Sequence, residues 1–194
     1  MKKKIILASN NAGKIKEYQN AFKTLNVEIL SLKDIGLNID VEETAIDFKG
    51  NALLKAKTIY NKVKIPVLAD DSGIVVKALP NYLGVKSKRF STSGKDLDNN
   101  YLLLEMLKDK SDRSAQFVCV ICLYMSDDDI RFFEGITTGK ILEEFKGDAG
   151  FGYDPLFLVD GSNKTYGEMT LDEKQIFSHR GKAIEKMVKY GRFD

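Results

Sequence analysis

Short β-type apolar runs alternating with amphipathic stretches, followed by two long runs in immediate succession, constrain this chain most tightly. The β-type runs are Lys4-Ile-Ile-Leu-Ala8, Val27-Glu-Ile-Leu30, Pro66-Val-Leu-Ala69, Ala115 to Met125, Ile130 to Gly139 and Leu156-Phe-Leu-Val159. Helical spacing occupies Gly13 to Leu25, Asp47 to Val63, Leu97 to Leu107 and Ser178 to Tyr190. Within 47–63, Phe48, Ala52, Ala56, Ile59 and Val63 form one stripe, which predicts a helix with that face buried. The runs at 115–125 and 130–139, joined by Ser126-Asp-Asp-Asp129, predict an antiparallel hairpin. The class that follows is α/β, a mixed β-sheet flanked by helices.

With 194 residues, 43% of them hydrophobic, the chain can close one domain over residues 1–194, as a single core or as two closely joined lobes. Its 30 Lys and Arg against 28 Asp and Glu leave a net charge of +2, which argues against nucleic acid as a partner; only Lys86-Ser-Lys-Arg89 hints at a basic stripe. The apolar stretch through Val118 to Met125 is far short of the roughly 20 residues of a membrane helix. Met1-Lys2-Lys3-Lys4 has the charge of a signal peptide, but only Ile5 to Ala8 follows before polar residues, so the reading is a cytoplasmic protein. Cys119-Val-Ile-Cys122 is formally a CxxC. Residues three apart on a strand face opposite ways, which predicts two reduced structural cysteines, and a single histidine, His179, speaks against a zinc site.

Five places carry residues suited to chemistry. Ser9-Asn10-Asn11-Ala12-Gly13-Lys14 follows a strand and opens a helix, a geometry that offers backbone N–H groups and a positive dipole end to a phosphate. Lys14 in the first helical turn is disfavoured by that dipole unless an anion sits there; an ordinary Asn cap with a solvated lysine fits equally well. Asp70-Asp71-Ser72-Gly73 follows the 66–69 run, which predicts a position at the carboxyl end of a strand, where open α/β sheets place their ligand crevice. Paired carboxylates there, with Glu42-Glu43 as a second acidic cluster, suit a hard divalent cation and a proton acceptor for water, although Asp-Ser-Gly is also ordinary turn chemistry. Lys55, at the edge of the 47–63 stripe, can project into a cleft or snorkel to solvent. Gly150-Phe151-Gly152-Tyr153-Asp154-Pro155 suits stacking of a planar base and equally a plain turn over core aromatics. Finally, Ser178 is a fitting N-cap that puts His179 and Arg180 in the first turn of the last helix, with Lys174 just before it, a placement that implies an anionic or keto-bearing ligand.

Taken together, Ser9-x-Asn11-x-x-Lys14-x-x-Glu17, Glu42-Glu43-Thr44 with Phe48, Asn51-Ala52 and Lys55-Ala56, Ala69-Asp70-Asp71-Ser72-Gly73, Phe151-Gly152-Tyr153-Asp154-Pro155 and Glu173-Lys174 with Ser178-His179-Arg180 resemble the inosine triphosphate pyrophosphatase (Ham1-like) family. The match keeps the order of the motifs and runs over nearly the whole chain. The resemblance implies an elongated mixed sheet in two lobes around a central cleft, a homodimer, and Mg²⁺-dependent hydrolysis of ITP, dITP and XTP to the monophosphate and pyrophosphate. It also implies roles. Ser9, Asn10, Asn11, Ala12, Gly13 and Lys14 would hold the triphosphate, with Lys14 and Lys55 as its cations. Glu43 and Asp71 would take the metal, and Asp71, with Asp70 beside it, would accept the proton of a water attacking the α-phosphorus. Ser72, Arg89, Phe151, Gly152, Tyr153, Asp154, Lys174, His179 and Arg180 would contact the nucleotide. Donors from His179, Arg180 and the backbone would favour a base with a keto oxygen where adenine has an amino group. The segment from Pro80 to Arg89 departs from the family pattern, with Lys86 and Lys88 in place of the usual tyrosine and alanine. A pyrophosphatase acting on modified pyrimidine nucleotides, and more distantly a non-catalytic nucleotide-binding protein, are the alternative readings.

Overall fold

The structure, a computed structural model, describes residues 2–191; Met1, at the head of the basic run, lies outside them. Six strands form one sheet in the order β2-β1-β3-β4-β5-β6. They are β1 Lys3–Leu7, β2 Val27–Ser31, β3 Val67–Val76, β4 Ser114–Ser126, β5 Asp129–Ile141 and β6 Phe157–Val159. β1 is parallel to both β2 and β3, and β6 is antiparallel to β5. β4 and β5 are joined by residues 127 and 128 alone, a link that only antiparallel strands can make. The mixed sheet and the hairpin are therefore as predicted. The helices are α1 Ala12–Phe22, α2 Phe48–Val63, α3 Asp96–Met106, α4 Leu171–Phe177 and α5 His179–Lys189. Among the described residues no helix is long and apolar enough to cross a membrane.

The chain divides into two compact units, the first made of Met1–Asp71, Cys119–Gly135 and Arg180–Asp194, the second of Ser72–Val118 and Ile136–His179. In the first unit, strand alternation sorts apolar side chains into two clusters. Ile5, Leu7, Leu68 and Cys119 join Tyr18 and Phe22 of α1 and Ala183 and Met187 of α5. Ile6, Ala8, Val67, Ala69 and Cys122 join Ala52, Ala56 and Ile59 of α2, the centre of the predicted stripe. The two cysteines are free, buried and in different clusters, and burial pushes the Cys122 thiol up to about 12. The second unit has one cluster, built on Ile74, Val76, Leu103, Leu107, Tyr153, Phe157 and Tyr166. Within it Phe117 meets Phe157 edge-on at 4.9 Å and stacks on the His179 ring at 4.7 Å.

One expectation is corrected by β3, which does not end at Ala69. It continues to Val76, so Asp70, Asp71, Ser72 and Gly73 lie inside the strand rather than beyond its carboxyl end. The reason is that this polar stretch finds partners without turning. Ser87 Oγ accepts the Ile74 N–H at 3.0 Å, and Gly73 sits so close to the Gly84 carbonyl that a Cβ would come within 2.2 Å of its oxygen. The short α4 carries no readable stripe, but Thr170 and Glu173 form a capping box at its start, a Thr-x-x-Glu signal present in the sequence.

Candidate active site

In the first unit, alternation along β3 sends Asp70 and Asp71 to different sides. Asp70 is buried, and its Oδ2 is a hub. It accepts from Arg180 Nη2 at 2.9 Å, Arg180 Nε at 3.2 Å and the Cys119 thiol at 3.6 Å, and it pairs with Lys14 Nζ at 3.0 Å. Arg180 also donates from Nη1 to Glu17 at 2.6 Å. Burial alone would raise the Asp70 pKa, but Lys14, Arg180 and Lys55 outweigh it and hold the carboxyl well below the usual carboxylate range. Burial likewise opposes the charge on Arg180, and Asp70 and Glu17 reverse that, keeping it firmly protonated. Oδ1 of Asp70 is buried and makes no hydrogen bond.

The loop before α1 is built by its own side chains. Asn11 is the N-cap, its Oδ1 accepting the Lys14 N–H at 2.9 Å; Ser9 Oγ accepts the Asn11 N–H at 3.2 Å; Asn10 Nδ2 donates to the Ile39 carbonyl at 2.9 Å. Ala12 and Gly13 open the helix. The anion that reconciles Lys14 with the positive end of the dipole is thus Asp70 of the same chain.

Asp71 meets α2 instead. Asn51 Nδ2 donates to its Oδ2 at 2.9 Å, and Lys55 Nζ lies 3.8 Å from its Oδ1. The same ammonium sits 2.6 Å from Glu43 Oε1, and the side chain of Lys55 is only 12% exposed, so it points into the protein rather than snorkelling out. Asn51 also accepts the Ala45 N–H at 2.9 Å, which fastens the loop carrying Glu43 to the helix facing Asp71. Burial raises the Asp71 pKa and Glu43 raises it further, against the pull of Lys55. Lys55 is itself held above the ordinary lysine value, Asp71, Asp70 and Glu43 outweighing its burial. Glu43 and Asp71 therefore border one ammonium with hard oxygen donors. That set fits a magnesium-type ion, which takes one or two carboxylates and completes its shell with phosphate and water. Among the described residues no three His, Cys, Asp or Glu side chains form an all-protein cage, which such an ion does not require.

In the second unit, Asp154 Oδ2 accepts the Phe151 N–H at 2.8 Å and the Lys174 ammonium at 2.5 Å, both members of the ion pair being buried. Gly150, at φ +81, lies against this carboxylate so tightly that a Cβ would meet Oδ2 at 2.0 Å. The Lys174 ammonium also lies 4.7 Å from the centre of the Phe151 ring and 5.3 Å from that of Tyr166, a cation between aromatic faces. Phe151 itself is only half-buried. Tyr153 is a core residue whose hydroxyl donates to the Ser87 carbonyl at 2.7 Å.

The sequence-predicted residues thus fall into two groups. Ser9 to Lys14, Glu43, Lys55, Asp70, Asp71 and Arg180 belong to the first unit, and Ser72, Arg89, Phe151 to Asp154, Lys174 and His179 to the second. Arg180 is 1% exposed, with its guanidinium against Asp70 and Glu17, so in this structure it serves a carboxylate of the protein. Arg89 is exposed at the end of the 84–89 turn. Sequence reasoning gave no role to Glu17 or Asn51, although Glu17 stands three residues after Lys14 and Asn51 four before Lys55, spacings that share a helix face.

Comparison with known proteins places this architecture. The model of the Ham1 family matches residues 5–190, and the chain belongs to that family. It is 43% identical over 189 residues to a dITP/XTP pyrophosphatase of Clostridium tetani, covering 95% of this chain and 94% of that protein. It is 45% identical over 194 residues to one of Clostridium perfringens, covering 95% of each. The solved structure of the Staphylococcus aureus Ham1 protein superposes with a TM-score of 0.85 at 36% identity, covering 97% of each chain.

Proposed function

We propose that the chain is a nucleoside triphosphate pyrophosphatase that hydrolyses non-canonical purine nucleotides, ITP, dITP and XTP, to the monophosphate and pyrophosphate, a cytoplasmic activity that cleanses the nucleotide pool. The observation that carries this reading is the set of part-buried Lys14, Lys55 and Glu43 around buried Asp71, in a member of a family whose relatives bear the name dITP/XTP pyrophosphatase.

Lys14, Lys55 and the N-terminal turn of α1 bind the triphosphate and stabilise charge on the departing pyrophosphate. Glu43 and Asp71 would hold a metal ion, of the Mg²⁺ type given their hard oxygen donors, and the ion would supply Lewis-acid stabilisation of the phosphate oxygens. Asp71, whose pKa burial raises, accepts the proton of the water that attacks the α-phosphorus; the α–β bridging oxygen leaves with pyrophosphate. Asp70 and Arg180 keep Lys14 in place. In the second unit Phe151 stacks the base, and donors from His179 and the backbone favour a keto oxygen, with Ser72, Arg89, Gly152, Tyr153, Asp154 and Lys174 as further contacts to the nucleotide. Leaving such donors unpaired against adenine costs about 1–3 kcal/mol each. The purine names of the relatives weigh against the modified-pyrimidine reading. A homodimer belongs to the same reading, and Tyr82, Leu97 and Tyr101 of the second unit are apolar side chains left exposed.

Chromatography of the products after incubation with Mg²⁺ and ITP, XTP, ATP, GTP or modified pyrimidine triphosphates tests the proposal. Selective conversion of ITP and XTP to monophosphate and pyrophosphate is expected. Diphosphate with orthophosphate, or no turnover of any substrate, would overturn it.

A further inference from the structure

The first turns of α3 grip one residue of the 150–155 loop at both of its backbone polar groups. The Gly152 N–H donates to Asp96 Oδ2 at 2.7 Å, and the Gly152 carbonyl accepts from Asn100 Nδ2 at 2.8 Å. Asp96 and Asn100 are four apart, so they share a helix face. Gly152 is at φ +62 with open space where a Cβ would be, so its left-handed backbone, rather than crowding, is what the clamp fixes. Asn100 is 3% exposed, and its Oδ1 is buried without a hydrogen bond. A half-satisfied amide in a core is costly. An apolar residue would fill the space without that cost, and only the bond to Gly152 gives the amide a purpose.

The same turn of α3 secures the atypical segment. Asp96 Oδ1 pairs with Lys88 Nζ at 2.9 Å, and Asn99 accepts the Ser91 N–H at 2.7 Å while donating to the Lys88 carbonyl at 3.2 Å. Lys88, where the family resemblance leads one to expect alanine, is thereby accounted for as the partner of Asp96. Neighbouring Phe151 is tied to Asp154 through its N–H, and its half-buried ring lies against the Lys174 ammonium, one residue along the backbone from the Gly152 that α3 holds.

We propose that Asn100 and Asp96 are positioning residues for base recognition, holding Gly152 so that the Phe151 ring is presented to the base in one orientation. The inference rests on the functional reading above and extends it to residues outside the recognised motifs. They act through the loop, so their removal is felt by the base and not by the triphosphate.

The test compares kcat/KM for ITP with kcat/KM for ATP, which share sugar and triphosphate, in the full-length chain. Asn100→Ala is expected to lower the ITP-to-ATP ratio about 10-fold, mainly through a higher KM for ITP. Asp96→Ala is expected to lower it about threefold, and Asp96→Asn, which keeps the acceptor, to restore it. Asp96 is partly exposed, so its variants keep the test open if Asn100→Ala does not fold. A merely structural role would reduce both substrates alike and leave the ratio unmoved. Ratios within about twofold of the parent in both alanine variants, or Asp96→Asn as damaged as Asp96→Ala, would overturn the inference. A parent chain that does not favour ITP defeats the functional reading and this inference with it, whereas a selective parent with insensitive variants defeats the inference alone.

Discussion

The two sides of β3 in the first unit shift the pKa values of adjacent carboxylates in opposite directions. Towards α1 and α5, Asp70 is ringed by Lys14 and Arg180, with Glu17 behind, and is held ionised. Towards α2, Asp71 shares Lys55 with Glu43, and burial pushes its pKa up. Charge on the first side is neutralised inside the protein before any ligand arrives. On the second side two carboxylates compete for one ammonium, an arrangement that an incoming cation and a proton both relieve. Neighbouring residues on a strand can therefore divide labour, one as scaffold and one as reagent, because the pleat gives each a separate environment.

The largest effect that probes this division is on turnover. Asp71→Asn is expected to lower kcat for ITP by about 10²–10⁴-fold without unfolding the chain, as removal of a general base does; pyrophosphate release measures it, and near-normal activity would break the distinction. Lys14→Ala removes a cation from the proposed phosphate site while Arg180 still satisfies Asp70, so kcat/KM is expected to fall about 10²-fold with little change in melting temperature. Unchanged kinetics would make the first loop purely structural. Glu43→Gln is expected to raise the Mg²⁺ concentration for half-maximal activity about 10-fold; a metal titration identical to the parent's would remove Glu43 from the site. The smallest effect concerns the thiols. Burial raises both pKa values, so iodoacetamide is expected to leave Cys119 and Cys122 unmodified in the native chain, and ready alkylation would contradict their placement.

Much of the fold was legible because period and length carry it. The 47–63 stripe buries Ala52, Ala56 and Ile59 as its spacing demands, and the two long runs pair as a hairpin. The helix-opening cap at Asn11 was equally readable. What sequence could not give is partnership across distance. Asp70-Asp71 reads as one acidic pair at a strand end, since local chemistry favours a turn there. Tertiary partners separate the two, at positions 14 and 180 for Asp70 and at 51 and 55 for Asp71, and Ser87 and Gly84 meet the strand where it continues. Arg180 reads as an outward donor in a first helical turn, and nothing local reveals that Glu17, 163 residues away, takes its guanidinium inward. Asn100 and Asp96 lie in an ordinary-looking helix, and their use is visible only once Gly152 is beside them.

The division of labour across β3 is tested most directly by urea unfolding of Asp70→Asn and Asp71→Asn in the presence of a chelator. The folded pKa of Asp70 is depressed, so its stabilisation is present above the ordinary carboxylate value of about 3.9 and is lost only as pH falls through the depressed value. The folded pKa of Asp71 is raised, so its ionised form opposes folding above that raised value, and the penalty disappears as pH falls below the ordinary one. Near neutral pH, Asp70→Asn is expected to lose about 3–5 kcal/mol, because Lys14 and buried Arg180 lose the carboxylate they share. Asp71→Asn is expected to be at least as stable as the parent, with the difference closing in acid. Equal losses in the two variants would contradict the assignment of scaffold to one carboxylate and reagent to the other.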